Sequence, residues 1–571
     1  MRKQSMNKYK ITLVDAGDSA VSIRFPQEIS EKVHNEVMHH LGCIRSAVTS
    51  EKLPGILDIV PSYAAILICF DISVTNGETI KDSLEEIILS NPSSENREFE
   101  KRVIEIPVVY GGEYGPDLET VATHTGLSTD EVIRLHSEPE YPVYMIGFLA
   151  GFPYLGGLNP ALETPRLESP RLSVPAGSVG IADKQTGIYP VESPGGWQII
   201  GRTDTKLYDP NSDNPFLVSA GDVIKFVPAE PDSIKSVPSN HKCDNESKQH
   251  VDPALRILSP GPLTTIQDLG RHGYMDKGIS VCGAMDCQAL SELNLMLGNH
   301  PDAAGLESTF ITPRIEFLKD TVFAVSGIHH PIKAKAGDIL ESITMSTGIR
   351  TYFAFAGGID VPIVLGSRST DIKNRIGGLE GRKLGTGDEL ALYDQESNIH
   401  ESAEKVLDTK ESLFTSSTIE LNAIAVNVNS NTPSHTPLHS TENPVTIHIT
   451  TGPQYSDLSE SGISTFLNSE YIVSTSSDRM GIRFDGPSLS FTEEKDGNII
   501  TDGLCPGAIQ VTPSGQPILM NADCQTTGGY AKPFWLASIS KRKVAQLRPG
   551  DRVRFVLIKT ADAVSLFRES L

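Results

Sequence analysis

Apolar residues at Val33, Val37, Leu41 and Ile44 stand three and four apart with polar residues between them, which predicts a helix with one buried face. Residues 11–14, 21–25 and 64–70 are short apolar runs of strand type, and Ile80, Leu84, Ile87 and Ile88 mark a second helix. These elements predict a small α/β unit over residues 8–98. A further strand is expected over 102–110. Leu118, Val121 and Ala122 mark a short helix ended by Gly126, and Ser128-Thr129-Asp130-Glu131 reads as a capping box that opens another. After His136 the pattern changes. Residues 147–203 are dense in Gly, Pro and short β-prone runs, the signature of a closed β-structure with many tight turns. That second unit spans 99–230.

Residues 231–252 are polar with little aliphatic content and read as a linker. A third unit, 253–394, opens on Leu255-Arg256-Ile257-Leu258. It carries a helix on Ala289, Leu290, Leu293 and Leu297 and strands near 322–325 and 351–356. Residues 395–443 are rich in Ser, Thr, Asn and Glu around two short apolar stretches and read as a mobile insertion. A last β-unit runs over 444–560.

One phrase occurs twice. Ala182-Asp183-Lys184-Gln185-Thr186-Gly187-Ile188-Tyr189 returns as Ala522-Asp523-Cys524-Gln525-Thr526-Thr527-Gly528-Gly529-Tyr530. Each copy follows a Pro/Gly/Ala-rich strand and precedes a closing strand that begins Gly-Asp, at Gly221 and Gly550. The distance between the copies suggests two related β-domains rather than a solenoid. An amide and a hydroxyl beside glycines suit a small polar ligand, and they equally suit a turn that satisfies its own backbone.

A chain of 571 residues is too long for one core. Its 48 Gly and 37 Pro fit a β-rich, turn-rich protein, and the net charge of −23 argues against nucleic-acid or anionic-membrane binding. Seven scattered cysteines, an odd number, argue for a reducing compartment and against a disulfide framework. The longest apolar run is far short of a membrane span, and no signal-peptide pattern opens the chain, so a cytoplasmic protein is expected. No cluster has metal-ligand spacing, and no Met-Lys-Met biotin-attachment sequence occurs. There is also no G-x-x-x-x-G-K-[ST], so any ATP would be bound without a P-loop.

The longer motifs resemble a known family. Tyr144-Met145-Ile146-Gly147-Phe148, the Gly151–Leu158 stretch and the segment from Thr186 to Trp197 look like the B component of 5-oxoprolinase, also called allophanate hydrolase subunit 1 or the KipI family. The stretch from Gly261 to Arg271, Gly283-Ala284-Met285-Asp286, Gly366-Ser367-Arg368-Ser369-Thr370-Asp371, Ser477-Asp478-Arg479-Met480-Gly481 and the second phrase resemble the C component of 5-oxoprolinase, the KipA family. The resemblance implies a natural B–C fusion. Its expected fold is β-rich α+β, with cyclophilin-like β-barrels and small α/β additions. It implies ATP-dependent opening of 5-oxoproline to glutamate, with ATP and Mg as cofactors. A separate A component of the LamB/YcsF type would complete the reaction, and a homo-oligomer is compatible with it. Related sequences form the carboxyltransferase region of biotin-dependent urea carboxylase, and the KipI name implies a regulator that binds a histidine kinase. Both remain alternatives. Cys524 stands where the family usually has Arg, which removes a cation from the phrase.

Within that reading, Gln185, Thr186, Tyr189, Gln525, Thr526 and Tyr530 are the candidate substrate-binding residues, as donors and acceptors for a lactam. Arg271, Arg368 and Arg479, each in a Gly/Asp/Ser-rich loop, are the candidate phosphate-binding residues. His136, Asp268 and Asp523 are the candidate catalytic groups. Structural readings stand beside these. Each arginine has an aspartate nearby in sequence, and His136 closes a helix.

Overall fold

The computed structural model describes residues 11–92, 101–231, 252–393, 418–419, 421 and 444–570. The N-terminal domain is an antiparallel sheet of β1 (Thr12–Asp15), β2 (Ala20–Arg24), β3 (Ile56–Pro61) and β4 (Ala65–Phe70), in the order β1-β2-β4-β3. Helices α1 (Glu31–Thr49) and α2 (Gly77–Ser90) cover one face. The Ser30 and Asn76 side chains cap them by accepting from the backbone N–H groups of Val33 and Thr79. The expected periodic residues Val33, Val37, Leu41 and Ile44 all point inward. Strand β3 was not anticipated, because Asp58 in its middle and Pro61 at its end break the apolar pattern.

Strand β4 is buried along its whole length. Ile66, Ile68 and Phe70 pack against the helices, while Leu67 and Cys69 face Leu504, Cys505 and Trp535 some 430 residues away. A strand covered on both faces needs no polar alternation, which accounts for its unbroken apolar run.

The second domain is a closed barrel. Its strands are β5 (Val103–Tyr110), β6 (Glu140–Ile146), β7 (Pro153–Leu155), β8 (Ser178–Ala182), β9 (Gln185–Ile188), β10 (Gln198–Arg202) and β11 (Val223–Pro228). The ring runs β5-β11-β6-β7-β9-β8-β10 and back to β5, and β5 and β11 pair in parallel. Helices α3 (Leu118–Thr125) and α4 (Thr129–Ser137) pack against it. Gly126 caps α3 in the left-handed conformation and Ser128 caps α4, as the sequence predicted.

The third domain packs a six-stranded sheet and a five-stranded sheet around Ile257, Leu306, Phe317, Phe323 and Phe353, with helix α5 (Cys287–Met296) on its outside. Most of the segment expected to be mobile, 395–443, lies outside the described residues, as does the linker apart from its ends. Thr418 and Ile419, however, add a strand parallel to Ile339–Leu340, and Ile419 and Leu421 are buried in the core. The mobile reading fails at these residues because their apolar side chains complete that core.

The last domain contains β12 (Val445–Thr451), α6 (Glu460–Asn468), β13 (Tyr471–Val473), β14 (Gly481–Asp485), β15 (Asn498–Gly503), β16 (Ala508–Val511), β17 (Pro517–Met520), β18 (Thr527–Leu536), α7 (Lys541–Ala545), β19 (Arg552–Leu557) and α8 (Thr560–Glu569). Its ring runs β12-β19-β13-β14-β17-β16-β18 and back to β12, with β15 added on β18. The circuit repeats that of the first barrel strand for strand, including the parallel first–last pair. The two barrels are therefore topological duplicates.

The repeated phrase does not follow that duplication. Gly177 and Gly507, with φ of +80° and +99°, open the equivalent strands β8 and β16. The first copy of the phrase then forms the β8–β9 turn, where Gln185 pairs with Ala182. The second copy comes one strand later, between β17 and β18. Gln185 and Gln525 thus occupy different places in matching barrels. No helix among the described residues is long and apolar enough to cross a membrane.

Candidate active site at the seam of three domains

The dipeptide Ser62-Tyr63, in the turn between β3 and β4, joins the N-terminal domain to both barrels. Ser62 Oγ lies 3.3 Å from the Asp502 carboxylate of β15. The Tyr63 phenol accepts a hydrogen bond from Gln185 Nε2 of the first barrel. Tyr144 and Tyr154, on β6 and β7, surround Tyr63 with ring centroids at 5.2 and 6.3 Å. The Tyr154 phenol faces the Thr527 hydroxyl of the second barrel. Gly147 is required at this contact, since a Cβ there would lie 2.3 Å from Thr527 Oγ1. Burial pushes the Tyr63 phenol well above its ordinary range and Tyr154 up to about 12, so both remain hydrogen-bond donors at neutral pH.

On β18, five residues beyond Thr527, stands Lys532. It is 1% exposed, and its ammonium lies 3.7 Å from the Asp502 carboxylate. Lys532 Nζ makes no hydrogen bond among the described residues. Burial lowers its pKa and the nearby Arg24 adds to that, while Asp502 opposes both. Gln510 of β16 brings its amide against Gly528, the residue paired with Asp502 across β15 and β18. Gln510 Nε2 also lacks a partner. Buried donors without partners are costly in a scaffold and suited to a ligand that supplies acceptors. The seam therefore combines neutral phenols, an amide, a hydroxyl and a poised amine, which can hold a small polar carbonyl compound and move a proton at it.

Of the residues expected from sequence, Gln185 belongs to this seam, and Thr526 lies directly beside Thr527. Tyr530 is exposed on β18. Several others have different roles. Thr186 is buried inside the first barrel, where its hydroxyl donates to Gly180 O at 3.0 Å and lies 2.8 Å from His136 Nε2. His136 is fully buried between Thr186 and the Tyr110 phenol and stacks on Phe226; burial holds its pKa down at about 3. His136 is thus enclosed within the first barrel, away from the seam. Tyr189 is buried against Phe152 and Trp197.

Asp268 accepts from the hydroxyls of Ser367 (2.7 Å) and Ser369 (2.5 Å) and from the N–H groups of Gly270 and Arg368. It clamps a loop. Arg271, with no exposure, donates to the carbonyls of Val364 and Ser369. Arg479 binds Asp523 through two hydrogen bonds of 2.9 and 2.8 Å, and it also donates to Glu307 and to Gly283 O. Burial would raise Glu307, but Arg479 and Arg350 hold its pKa below the ordinary value. The Arg479 network ties the third domain to the second barrel, while Asp268 and Arg271 bind loops within the third domain, so all four side chains are engaged by protein groups. Arg368 donates to the Tyr393 phenol at 2.8 Å and pairs with no carboxylate among the described residues.

Sequence reasoning missed Tyr63, Tyr154, Asp502 and Lys532. A signal existed for the last. Lys532 is a lone charge in the run Ala531-Lys532-Pro533-Phe534-Trp535-Leu536, where a buried strand would hold none without a reason.

Two seven-stranded rings with one topology, joined through a shared polar seam, make a two-part protein, and the comparisons with known proteins give its class as carboxyltransferase-type. Residues 11–218 match the family described as carboxyltransferase domain, subdomain C and D, and residues 277–557 match carboxyltransferase domain, subdomain A and B. The chain belongs to this family, as a fusion of the branches that supply the B and C components of 5-oxoprolinase. It is 43% identical over 221 residues to the 5-oxoprolinase B component of Bacillus subtilis (strain 168), a match that covers 37% of this chain and 90% of that one. It is 33% identical over 323 residues to the 5-oxoprolinase C component of Escherichia coli (strain K12), covering 54% and 93%. The solved structure of TTHA0988 superposes with a TM-score of 0.74 at 28% identity, over 94% of this chain and all of that one.

Proposed function

We propose that the chain supplies the B and C components of an ATP-dependent 5-oxoprolinase, opening 5-oxoproline to glutamate together with a separate A component of the LamB/YcsF type. One observation carries this reading: a single chain contains near-complete counterparts of both components, 90% and 93% of their lengths, and joins them through one polar seam. A lactam is an unstrained amide. Transfer of the ATP γ-phosphoryl group to its carbonyl oxygen, with ADP as the other product, opens the carbon to attack by water. The C–N bond then breaks to free the amine and leave an acyl phosphate, which a second water hydrolyses to glutamate and inorganic phosphate. At the seam, the neutral phenols of Tyr63 and Tyr154 and the amide of Gln185 are suited to donate to lactam oxygens. Lys532, its charge destabilised by burial, is suited to exchange a proton. The test is to mix the chain with a LamB/YcsF-type partner, ATP and 5-oxoproline and to measure glutamate. Glutamate that appears only with all components supports the proposal. If it never appears, the proposal falls. The biotin-dependent carboxyltransferase reading makes the opposite forecast in a second arm, because avidin would then abolish turnover. With no Met-Lys-Met sequence in the chain, turnover is expected to be indifferent to avidin.

A further inference from the structure

Arg166 stands where the first barrel meets the seam. The chain on either side of it is pinned: Asp183 donates from its N–H to Thr164 O at 2.8 Å, and Leu167 donates to Gly196 O at 2.8 Å. The Thr164–Asp183 bridge ties this segment to the β8–β9 turn that leads into Gln185. The guanidinium lies over the Trp197 ring, 6.0 Å from its centroid. It is close enough to the phenols of Tyr63, Tyr154 and Tyr189 for its charge to act on all three. Asp183 approaches it at Nε, at 3.5 Å, and both side chains of this pair are more than half exposed. Water screens such a pair, and Nη1 and Nη2 make no hydrogen bond among the described residues.

The phenol nearest Gln185 is short of an acceptor. Tyr63 is 1% exposed; it accepts from Gln185, and its own proton meets no acceptor among the described residues. A buried donor left in this way is costly unless a ligand oxygen completes it. The missing acceptor and the free edge of the guanidinium thus call for a ligand that is rich in oxygen and negatively charged. Two parallel N–H groups match the two oxygens of a carboxylate. Across the seam Lys532 is already matched by Asp502 at 3.7 Å, so Arg166 provides the charge for a single carboxylate and too little for a multiply charged phosphate. We propose that Arg166 is the specificity-determining residue of the seam: its Nη1–Nη2 edge holds a ligand carboxylate and selects an acid over a neutral compound of the same shape. The ligand lies with its carboxylate toward the first barrel and its remainder toward Gln510 and Lys532, whose donors have no partner among the described residues. That the acid is 5-oxoproline rests on the reading under Proposed function; the preference for a carboxylate rests on the geometry alone.

The test is titration calorimetry on the full chain with two ligands of one shape, 5-oxoproline and its neutral primary amide, 5-oxoprolinamide. Three variants are compared with the wild type: Arg166→Gln, Arg166→Lys and Lys184→Gln. Both positions are exposed, so the melting temperature is expected to stay unchanged in all three. Lys184→Gln is the control for charge, because it removes a cation from the same β8–β9 turn, one that pairs with Glu163 at 4.0 Å. The wild type is expected to bind 5-oxoproline more tightly than the amide. Arg166→Gln should weaken 5-oxoproline about tenfold or more and leave the amide unchanged. Arg166→Lys, which keeps the charge and loses the fork, should fall between, and Lys184→Gln should bind as the wild type does. Equal loss of both ligands in Arg166→Gln would make Arg166 a structural support and overturn the proposal. So would wild-type affinity for 5-oxoproline in that variant, an equal loss in Lys184→Gln, or no binding of either ligand to the wild type. If the reconstituted mixture forms glutamate with the same KM in Arg166→Gln as in the wild type, this inference fails and the proposed function survives. If 5-oxoproline binds through Arg166 but no glutamate forms, the carboxylate site stands and the proposed function fails.

Discussion

Lys532 and Asp502 face each other at 3.7 Å on adjacent strands of the second barrel, both almost wholly withdrawn from water. Removing one partner of such a pair leaves the other charge buried alone, at a cost of about 3–5 kcal/mol. Lys532→Met is therefore expected to abolish turnover and to lower the melting temperature. The double variant Lys532→Met, Asp502→Asn should recover much of the stability and none of the activity. Thermal melts and glutamate assays on the single and double variants measure both. A double variant as active as the wild type would remove Lys532 from the chemistry.

Gln185 and Gln525 should behave differently, despite their matching phrases. Gln185 Nε2 is a hydrogen-bond partner of the buried Tyr63 phenol across a domain boundary. Gln185→Ala leaves that phenol without it, and a loss of about 1–3 kcal/mol is expected together with weaker 5-oxoproline binding. Gln525, half-buried between β17 and β18, is expected to leave the melting temperature unchanged when replaced by Ala. Equal destabilisation by the two substitutions would contradict the topological assignment.

Acid should loosen the N-terminal half first. Burial holds His34 and His40 down at about 4 and His136 at about 3, with Lys101 adding at His34 and His39 at His40. As pH falls below the ordinary histidine value, the unfolded chain takes up protons that these buried rings refuse. The unfolded state is favoured from about pH 6.5 down to the folded-state values, by about 1.4 kcal/mol per histidine per pH unit. Melting temperature should thus drop from about pH 6.5 towards about pH 4, starting before most carboxylates titrate. The drop should shrink in His136→Gln. A flat profile over that interval would mean that these rings are protonated in the folded protein.

Cys524 lies 2% exposed among Leu504, Met520 and Trp535, and burial pushes its thiol well above the ordinary range. Lys373 is close enough to Cys524 for their charges to interact, and its ammonium donates to Phe148 O at 2.6 Å. Cys524→Arg would bring a second cation to this enclosed place. It is expected to destabilise the protein by several kcal/mol rather than to improve turnover. An equally stable and more active Cys524→Arg would show that the cluster can open to admit the charge.

Local patterns in the sequence carried much of the architecture. The spacing of Val33, Val37, Leu41 and Ile44 marks α1 because a single helix face decides it, and Ser128 and Gly126 mark helix ends through the chemistry of caps. Strand β3 escaped because Asp58 points to a contact outside its own domain, accepting from the N–H groups of Gly273 and Met275. The candidate site was only partly legible for the same reason. Gln185 stood out by its phrase, but Tyr63, Tyr154 and the Asp502–Lys532 pair come from three domains, and no spacing along the chain encodes their meeting. The arginines stood out by their glycine-rich loops, yet Arg271 and Arg479 turn inward. Sequence cannot separate a guanidinium that holds loops together from one that waits for a ligand.

The contact between Ser62 and Asp502 spans 440 residues of chain. During synthesis, the outer face of the first sheet, with Leu67 and Cys69, must stay uncovered until nearly the whole polypeptide has emerged. An uncovered apolar face on a nascent chain invites aggregation, and contacts this distant are slow to form. Carrying the covering barrel on the same polypeptide replaces a search between separate molecules by one within a tether, at the high effective concentration a linker confers. Dosage of the two parts is then equal by construction. A cell making this chain cannot accumulate one half with its sticky face exposed and no counterpart to cover it.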